Sequence, residues 1–240
     1  MPEITTVIFD MFNTLVHDGE EYWYASFERI VREQRLEISA TKLREEWSSG
    51  DRNFRDGRTR EGAPFQTYTD AWQKSFSRVF SSLQLPGDAA GAVRIVLEDM
   101  GQRPIHPEAL EALAAIQGSW RIALLSNADD GFLKPVVARM GFPFEAVLSS
   151  EGACCYKPRP GLFQEMIRRL GITPEEAVYV GDRQYEDVQG AVLAGMRAVW
   201  INRNNTALDP GLPAPHHEVK SLLEIPRIIG PQALSKDRRI

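Results

Sequence analysis

The run Thr6-Val7-Ile8-Phe9 is short, apolar and rich in β-branched and aromatic residues, and it stops on Asp10. It reads as a buried strand, with Ile4 leading in and Asn13 and Thr14 in the turn that follows. In an open α/β sheet, groups at the carboxyl ends of strands share one crevice. A lone aspartate there is equally well a turn or helix cap, so the rest of the chain must decide its meaning. From Pro104 onward, apolar runs alternate with helical patterns. Strands are predicted at 121–125, 144–148, 177–180 and 197–201. Helices are predicted at 107–116, 130–140, 160–170 and 187–194, with a surface helix at 221–229. Glycines close three of these helices, at Gly141, Gly171 and Gly195. Thr173 and Pro174 suit the cap and first turn of a further short element. Such alternation predicts a parallel sheet. The stretch 202–218 is rich in Pro, Asn and Gly and is predicted as loop.

Between the first strand and this block lies a segment with no strand pattern. Residues 20–33 place Trp23, Phe27, Ile30 and Val31 near helical spacing. Ser39 is a cap for a second helix carrying Leu43 and Trp47. The polar run 48–53 reads as a break. A third helix is predicted at 65–83, with Tyr68, Trp72, Phe76, Val79 and Phe80 as its stripe, and a fourth at 89–100. The expectation is an all-helical insertion, 18–103, within a core formed by 1–17 and 104–240. The aromatic stripes are expected to pack that insertion and not to line a pocket.

Of the 240 residues, 43% are apolar and 25% charged, and the formal net charge is -5. Clustered basic surface, the footprint of nucleic-acid binding, is absent from the sequence. The basic group at 236–239 reads as a solvated tail. No apolar run approaches the roughly 18 residues that a membrane span needs. Met-Pro-Glu-Ile has no basic segment leading into an apolar stretch, which argues against a signal peptide. Cys154 and Cys155 are the two cysteines, adjacent and without a disulfide framework. They read as structural thiols of a cytoplasmic protein. His216 and His217 are neighbours in a loop with no third ligand near in sequence, so no metal site is expected there.

Four segments carry polar residues in strand-end positions: Asp10, Ser126-Asn127, Lys157-Pro158, and Gly181-Asp182 with Asp187. In order, spacing and context they resemble the four motifs of the haloacid dehalogenase-like hydrolase superfamily. The matching stretches are Asp10-Met11-Phe12-Asn13-Thr14-Leu15, Leu124-Leu125-Ser126-Asn127, Lys157-Pro158-Arg159-Pro160, and Val180-Gly181-Asp182 followed by Asp187. The resemblance covers about residues 4–203 and implies a Rossmann-like three-layer α/β core with a parallel sheet and an all-helical cap domain. It implies that Asp10 is a nucleophile forming a covalent intermediate. Lys157 would supply positive charge, and the Ser126 hydroxyl and an amide near Asn127 would donate hydrogen bonds. Mg²⁺ would be held by Asp10, Asp182 and the backbone oxygen of Phe12. Asp187 would bind the metal directly or through water, or orient Lys157. Thr14 would hydrogen-bond within its loop and help fix Asp10. The substrate would be a small anionic molecule enclosed by the cap, acted on by a monomer or homodimer.

One position departs from the pattern. Phosphatases of the superfamily usually carry a second aspartate two residues after the nucleophile, to protonate the leaving alcohol, and here that residue is Phe12. General acid–base help is worth about 100 to 10,000-fold. Three readings follow. The first is Mg²⁺-dependent phosphoryl hydrolysis, with a leaving group that needs no proton or with an acid drawn from His17, Glu20 or Glu21. The second is metal-free dehalogenation of a 2-haloacid, whose enzymes carry an aromatic residue at this position and need a cap arginine. Arg29, Arg32, Arg52 and Arg55 are the candidates. The third is a binding or regulatory protein that keeps the fold without turnover. Both acids of the fourth motif persist, which favours the first reading.

Overall fold

The computed structural model describes residues 3–230. The tail at 236–239 lies outside the described residues, as do the first two residues of the N-terminal stretch. The described residues divide into two compact units, one of 3–17, 105–126 and 142–230, the other of 18–104 and 127–141.

The first unit is built on a parallel sheet of six strands: β1 (Thr6–Phe9), β2 (Arg121–Ser126), β3 (Ala146–Ser149), β4 (Ala177–Gly181), β5 (Arg197–Ile201) and β6 (His217–Val219). Their order is β3-β2-β1-β4-β5-β6, and every ladder is parallel. β1 therefore sits in the middle, with β2 on one side and β4 on the other. The chain winds in opposite directions from it, which is the arrangement that opens a crevice at the strands' carboxyl ends. Alternate residues of each strand face opposite layers. Ile8, Ala123, Leu125, Tyr179 and Trp200 pack with Phe163, Met166 and Leu170 of the helix Pro160–Leu170. Val7, Phe9, Leu124, Val178 and Val180 face the other way and are equally buried. The helix Ala109–Ile116 and the short helix Ile225–Ile229 supply that layer with Ala112, Leu113, Ile116 and Ile225. The result is a three-layer Rossmann-like α/β core.

Two differences from the sequence reading fall in this unit. The predicted loop 202–218 ends in a strand, because residues 217–219 pair with 199–201 at the sheet edge. The helix predicted from Asp187 begins earlier, with a widely wound π-type turn at Gln184–Gln189 that runs into an α-helical turn at Gly190–Leu193. Wide turns of this kind often mark functional sites. Here the turn holds Asp187.

The second unit is all-helical: α1 (Glu20–Gln34), α2 (Ala40–Gly57), α3 (Tyr68–Ser82), α4 (Ala89–Gly101) and, from later in the chain, α6 (Asp130–Met140). (Ala109–Ile116 is α5.) The predicted break at 48–53 does not occur. Gly50 lies inside α2 because the helix must approach α3 closely; a Cβ there would stand 2.3 Å from the Ser75 hydroxyl. Asp51 is buried one residue later and accepts from the Trp72 indole at 2.9 Å. Trp23, Phe27, Trp47, Trp72 and Phe76 form a continuous aromatic cluster, as the stripes predict. α6 groups with these helices because Phe132 packs on Tyr68 and Trp72. Its preceding residue, Asp129, accepts from the Tyr68 and Thr69 amides at the start of α3. Among the described residues, no helix is long and apolar enough to cross a membrane.

Candidate active site

Asp10 follows β1 directly, 5% exposed, with its amide bonded to the Val180 carbonyl of β4 at 2.9 Å. One carboxylate oxygen, Oδ1, accepts twice: from the Ser126 hydroxyl at 2.8 Å and from the Lys157 ammonium at 2.7 Å. Lys157 is 2% exposed and donates twice more, to Asp187 Oδ1 at 2.7 Å and to the Tyr179 hydroxyl at 2.8 Å. An ammonium has three donors, so these three acceptors complete it. Burial alone would lower its pKa, but the Asp10 and Asp187 carboxylates override that and hold it well above the ordinary lysine value. The Tyr179 hydroxyl in turn donates a hydrogen bond to the Leu125 carbonyl at 2.8 Å.

Asp182 ends β4's turn and Asp187 lies in the wide turn beyond it. Oxygens of Asp10, Asp182 and Asp187 lie within 4.8 Å of one another. Gly181 makes this approach possible, since a Cβ there would stand 2.3 Å from the Asp187 carboxyl carbon. Asp187 Oδ2 accepts from the Arg183 amide at 2.8 Å, which fixes the turn. Burial raises the pKa of Asp182 well above the usual carboxylate value, and the charges of Asp187 and Asp10 add to the rise. Burial also raises Asp187, to about 6, against the pull of Lys157. Fully ionised, three carboxylates here face the one ammonium that touches two of them, and a double negative charge is left over. A divalent cation with a preference for oxygen ligands removes that imbalance. The donor set therefore fits Mg²⁺.

The haloacid dehalogenase-like hydrolase family profile matches residues 4–195. The chain is a haloacid dehalogenase-like hydrolase. Its curated relatives include a phosphoserine phosphatase of Thermus thermophilus, 38% identical over 149 residues, or 58% of this chain and 60% of the relative. They also include haloacetate dehalogenase H-2 of Moraxella sp., 30% identical over 145 residues, or 59% of this chain and 64% of the relative. The chain thus matches less than two thirds of the length of either. Among solved structures, a Bacillus subtilis hydrolase of this superfamily bound to magnesium superposes with a TM-score of 0.78 at 18% identity, covering 95% of this chain and 99% of that one. The family holds both phosphatases and dehalogenases, and this hydrolase combines an Asp10-centred carboxylate triad with Phe12 where an acid is expected.

Of the residues singled out in the sequence, Asp10, Ser126, Lys157, Asp182 and Asp187 come together in this hydrolase as described. Thr14 does not act as expected: its hydroxyl is buried and has no hydrogen-bond partner. The first loop is held by its backbone instead, with the Leu15 and Val16 amides on the Met11 carbonyl at 2.8 and 3.0 Å. Asn127 opens the segment that belongs to the helical unit. There, Arg29 is engaged by Glu33, Glu98 and Asp99, Arg55 by Asp51, and Glu20 by Arg44. His216 accepts from the Ala198 amide through Nδ1, a structural role. Cys154 and Cys155 are free thiols. Two residues of the site were not anticipated. Tyr179 was legible as a hydroxyl inside an otherwise apolar strand, which must find a partner when buried. Arg203, which bonds the Asn13 and Thr14 carbonyls, had no local signal.

His106 supports the first loop from below, its amide on the Leu15 carbonyl at 2.9 Å and its ring 3.8 Å from that of His17. Burial lowers its pKa to about 4, with Arg203 and His17 adding to the effect. A histidine with a depressed folded pKa stays neutral in the fold but charges when unfolded. Its contribution is complete above the unfolded value near 6.5 and is lost as pH falls toward 4. Thermal melts should therefore show a loss of about 2 to 3 kcal/mol over that window, and His106→Asn should remove most of the slope. An unchanged slope in the variant would refute this.

Proposed function

We propose that this hydrolase transfers the phosphoryl group of a small anionic metabolite to water, with Mg²⁺ as cofactor and with a leaving group that departs without a proton. The observation that carries the reading is the charge of the site. Three carboxylate side chains converge within 4.8 Å, and a metal-free reaction has no use for so much negative charge beside an anionic substrate. Asp10, Asp182, Asp187 and the Phe12 backbone oxygen would hold the ion. Bound there, Mg²⁺ supplies charge neutralisation at the transferring oxygens.

The chain's own residues do the rest. Asp10 Oδ1 is occupied by Ser126 and Lys157, so Oδ2 is the oxygen that attacks phosphorus. The new O–P bond forms as the bond to the leaving group breaks, and water then cleaves the aspartyl phosphate. Lys157, Ser126 and the Asn127 amide offset the charge on the transferring oxygens. Thr14 packs within the loop that presents Asp10. Phe12 has no proton to give, so acyl phosphates, pyrophosphates and aryl phosphates suit the site better than alkyl monoesters.

The aromatic Phe12 supports a second reading, attack of Asp10 on a carbon bearing halide. Halide leaves as a weak base and needs neither acid nor metal. The haloacetate dehalogenase among the relatives is in keeping with it. A panel of an aryl phosphate, an acyl phosphate and 2-chloropropionate, assayed with and without Mg²⁺ and with Asp10→Asn as the blank, separates the two. Mg²⁺-dependent phosphate release, fastest for the activated leaving groups, is the expected result. Chloride release that a chelator leaves untouched would overturn it in favour of dehalogenation.

A further inference from the structure

We infer that Arg203 is a positioning residue for the nucleophile loop, holding the backbone that presents Asp10 and the Phe12 carbonyl to Mg²⁺. The inference rests on the metal-dependent reading above. Arg203 lies 190 residues from Asn13, beyond the end of β5, a strand separated from β1 by β4. One guanidinium nitrogen donates to the Asn13 carbonyl at 2.6 Å. The other donates to the Thr14 carbonyl at 3.0 Å and to the Glu108 carboxylate at 3.0 Å. Glu108 stands at the start of α5, so the arginine is itself held from a third element.

The loop after Asp10 needs such a hold. Asn13 sits at φ 60°, a left-handed conformation that a non-glycine residue adopts at some cost. The Thr14 hydroxyl contributes no hydrogen bond. The Asn13 amide bonds the Val16 carbonyl at 2.7 Å. The peptide joining Phe12 to Asn13 is planar and trans, so its carbonyl points opposite to that amide, away from Val16. Arg203 pins the next two carbonyls, and its fork is planar and rigid, so it fixes their relative direction as well as their position. Together these bonds determine where the Phe12 carbonyl faces.

The arm that delivers Arg203 is built for the purpose. Asn202, 3% exposed, closes a ring of two hydrogen bonds with the Thr206 backbone, at 2.9 and 2.8 Å, and donates to Glu218 at 2.7 Å. The residue next to Arg203 is thus locked to both the following loop and the sheet edge.

Arg121 provides a matched control. It too bonds a glutamate, Glu145, and a backbone carbonyl, that of Leu170, but in a place without any nucleophile loop. Calorimetric titration of Mg²⁺ into the wild type, Arg203→Met, Arg203→Lys and Arg121→Met is the test, alongside steady-state turnover of an aryl phosphate. Arg203→Met is expected to weaken Mg²⁺ binding about tenfold and to lower kcat with KM little changed. Arg203→Lys, which keeps the charge but loses the fork, should fall between, and Arg121→Met should bind Mg²⁺ like the wild type despite a lower Tm. If the wild type binds and Arg203→Met and Arg203→Lys bind equally well, the inference is overturned alone. If the wild type takes up no Mg²⁺, the metal-dependent reading falls and takes the inference with it.

Discussion

Replacing Lys157 with methionine is expected to cut turnover by at least about 100 to 1,000-fold, the effect of losing one preorganised donor from such a site, and to destabilise the fold as well. The two losses have different causes. Lys157 is the ammonium bonded to Asp10 and Asp187, both almost fully buried, and its third proton goes to Tyr179. Methionine matches its length but leaves two carboxylates without their cation. Breaking a buried pair by removing one partner costs about 3 to 5 kcal/mol, and denaturant unfolding with an unchanged slope would measure it. Adding Asp187→Asn to Lys157→Met removes one of the stranded charges. The double variant should recover a large part of the stability and none of the turnover. Recovery of both would mean that Lys157 acts through folding alone. Tyr179→Phe is the milder case: it leaves Lys157 charged and paired, and removes one acceptor worth about 1 kcal/mol.

Why Lys157 could be named from sequence, and Arg203 could not, lies in how each is placed. Lys157 sits beside a proline, in register with three strand-end motifs, so its neighbours in sequence announce it. Arg203 follows a strand end too, but it reaches the nucleophile loop only through backbone carbonyls 189 and 190 residues away. A carbonyl carries no residue identity, so no pattern of side chains records that contact. Thr14 shows the opposite failure: a hydroxyl in a motif position implied a hydrogen bond that the folded loop does not make. Periodicity gave the strands and most helices because burial on one face imposes it. It misread 48–53, where Gly50 and Asp51 look like a polar break but serve a close helix contact and a buried indole. It also missed the three-residue strand His217–Val219, which is too short to show an alternation. The wide turn at Gln184–Gln189 left no trace, since one extra residue per turn shifts no apolar position strongly enough to be seen.

Asp182→Asn is the variant expected to gain stability while losing function. Without metal, burial and the charges of Asp187 and Asp10 raise the pKa of Asp182 well above its unfolded value. A carboxylate whose folded pKa is raised is most favourable to the fold at low pH, where it is protonated in both states. That favour is lost as pH rises, because the unfolded chain ionises first. At neutral pH the metal-free wild type therefore carries a penalty that a neutral isostere does not. Asp182→Asn should melt higher than the wild type in chelator, because the neutral amide escapes the burial and charge repulsion that the carboxylate meets. Saturating Mg²⁺ should reverse the order. It binds the folded wild type, and at 100 times its dissociation constant it adds about 2.7 kcal/mol, whereas the variant has lost a ligand and gains little. The crossing of the two melting curves between chelator and Mg²⁺ is the diagnostic. Variants that melt in the same order under both conditions would show that Asp182 is not where the cation binds, and that the surplus negative charge of this site has another purpose.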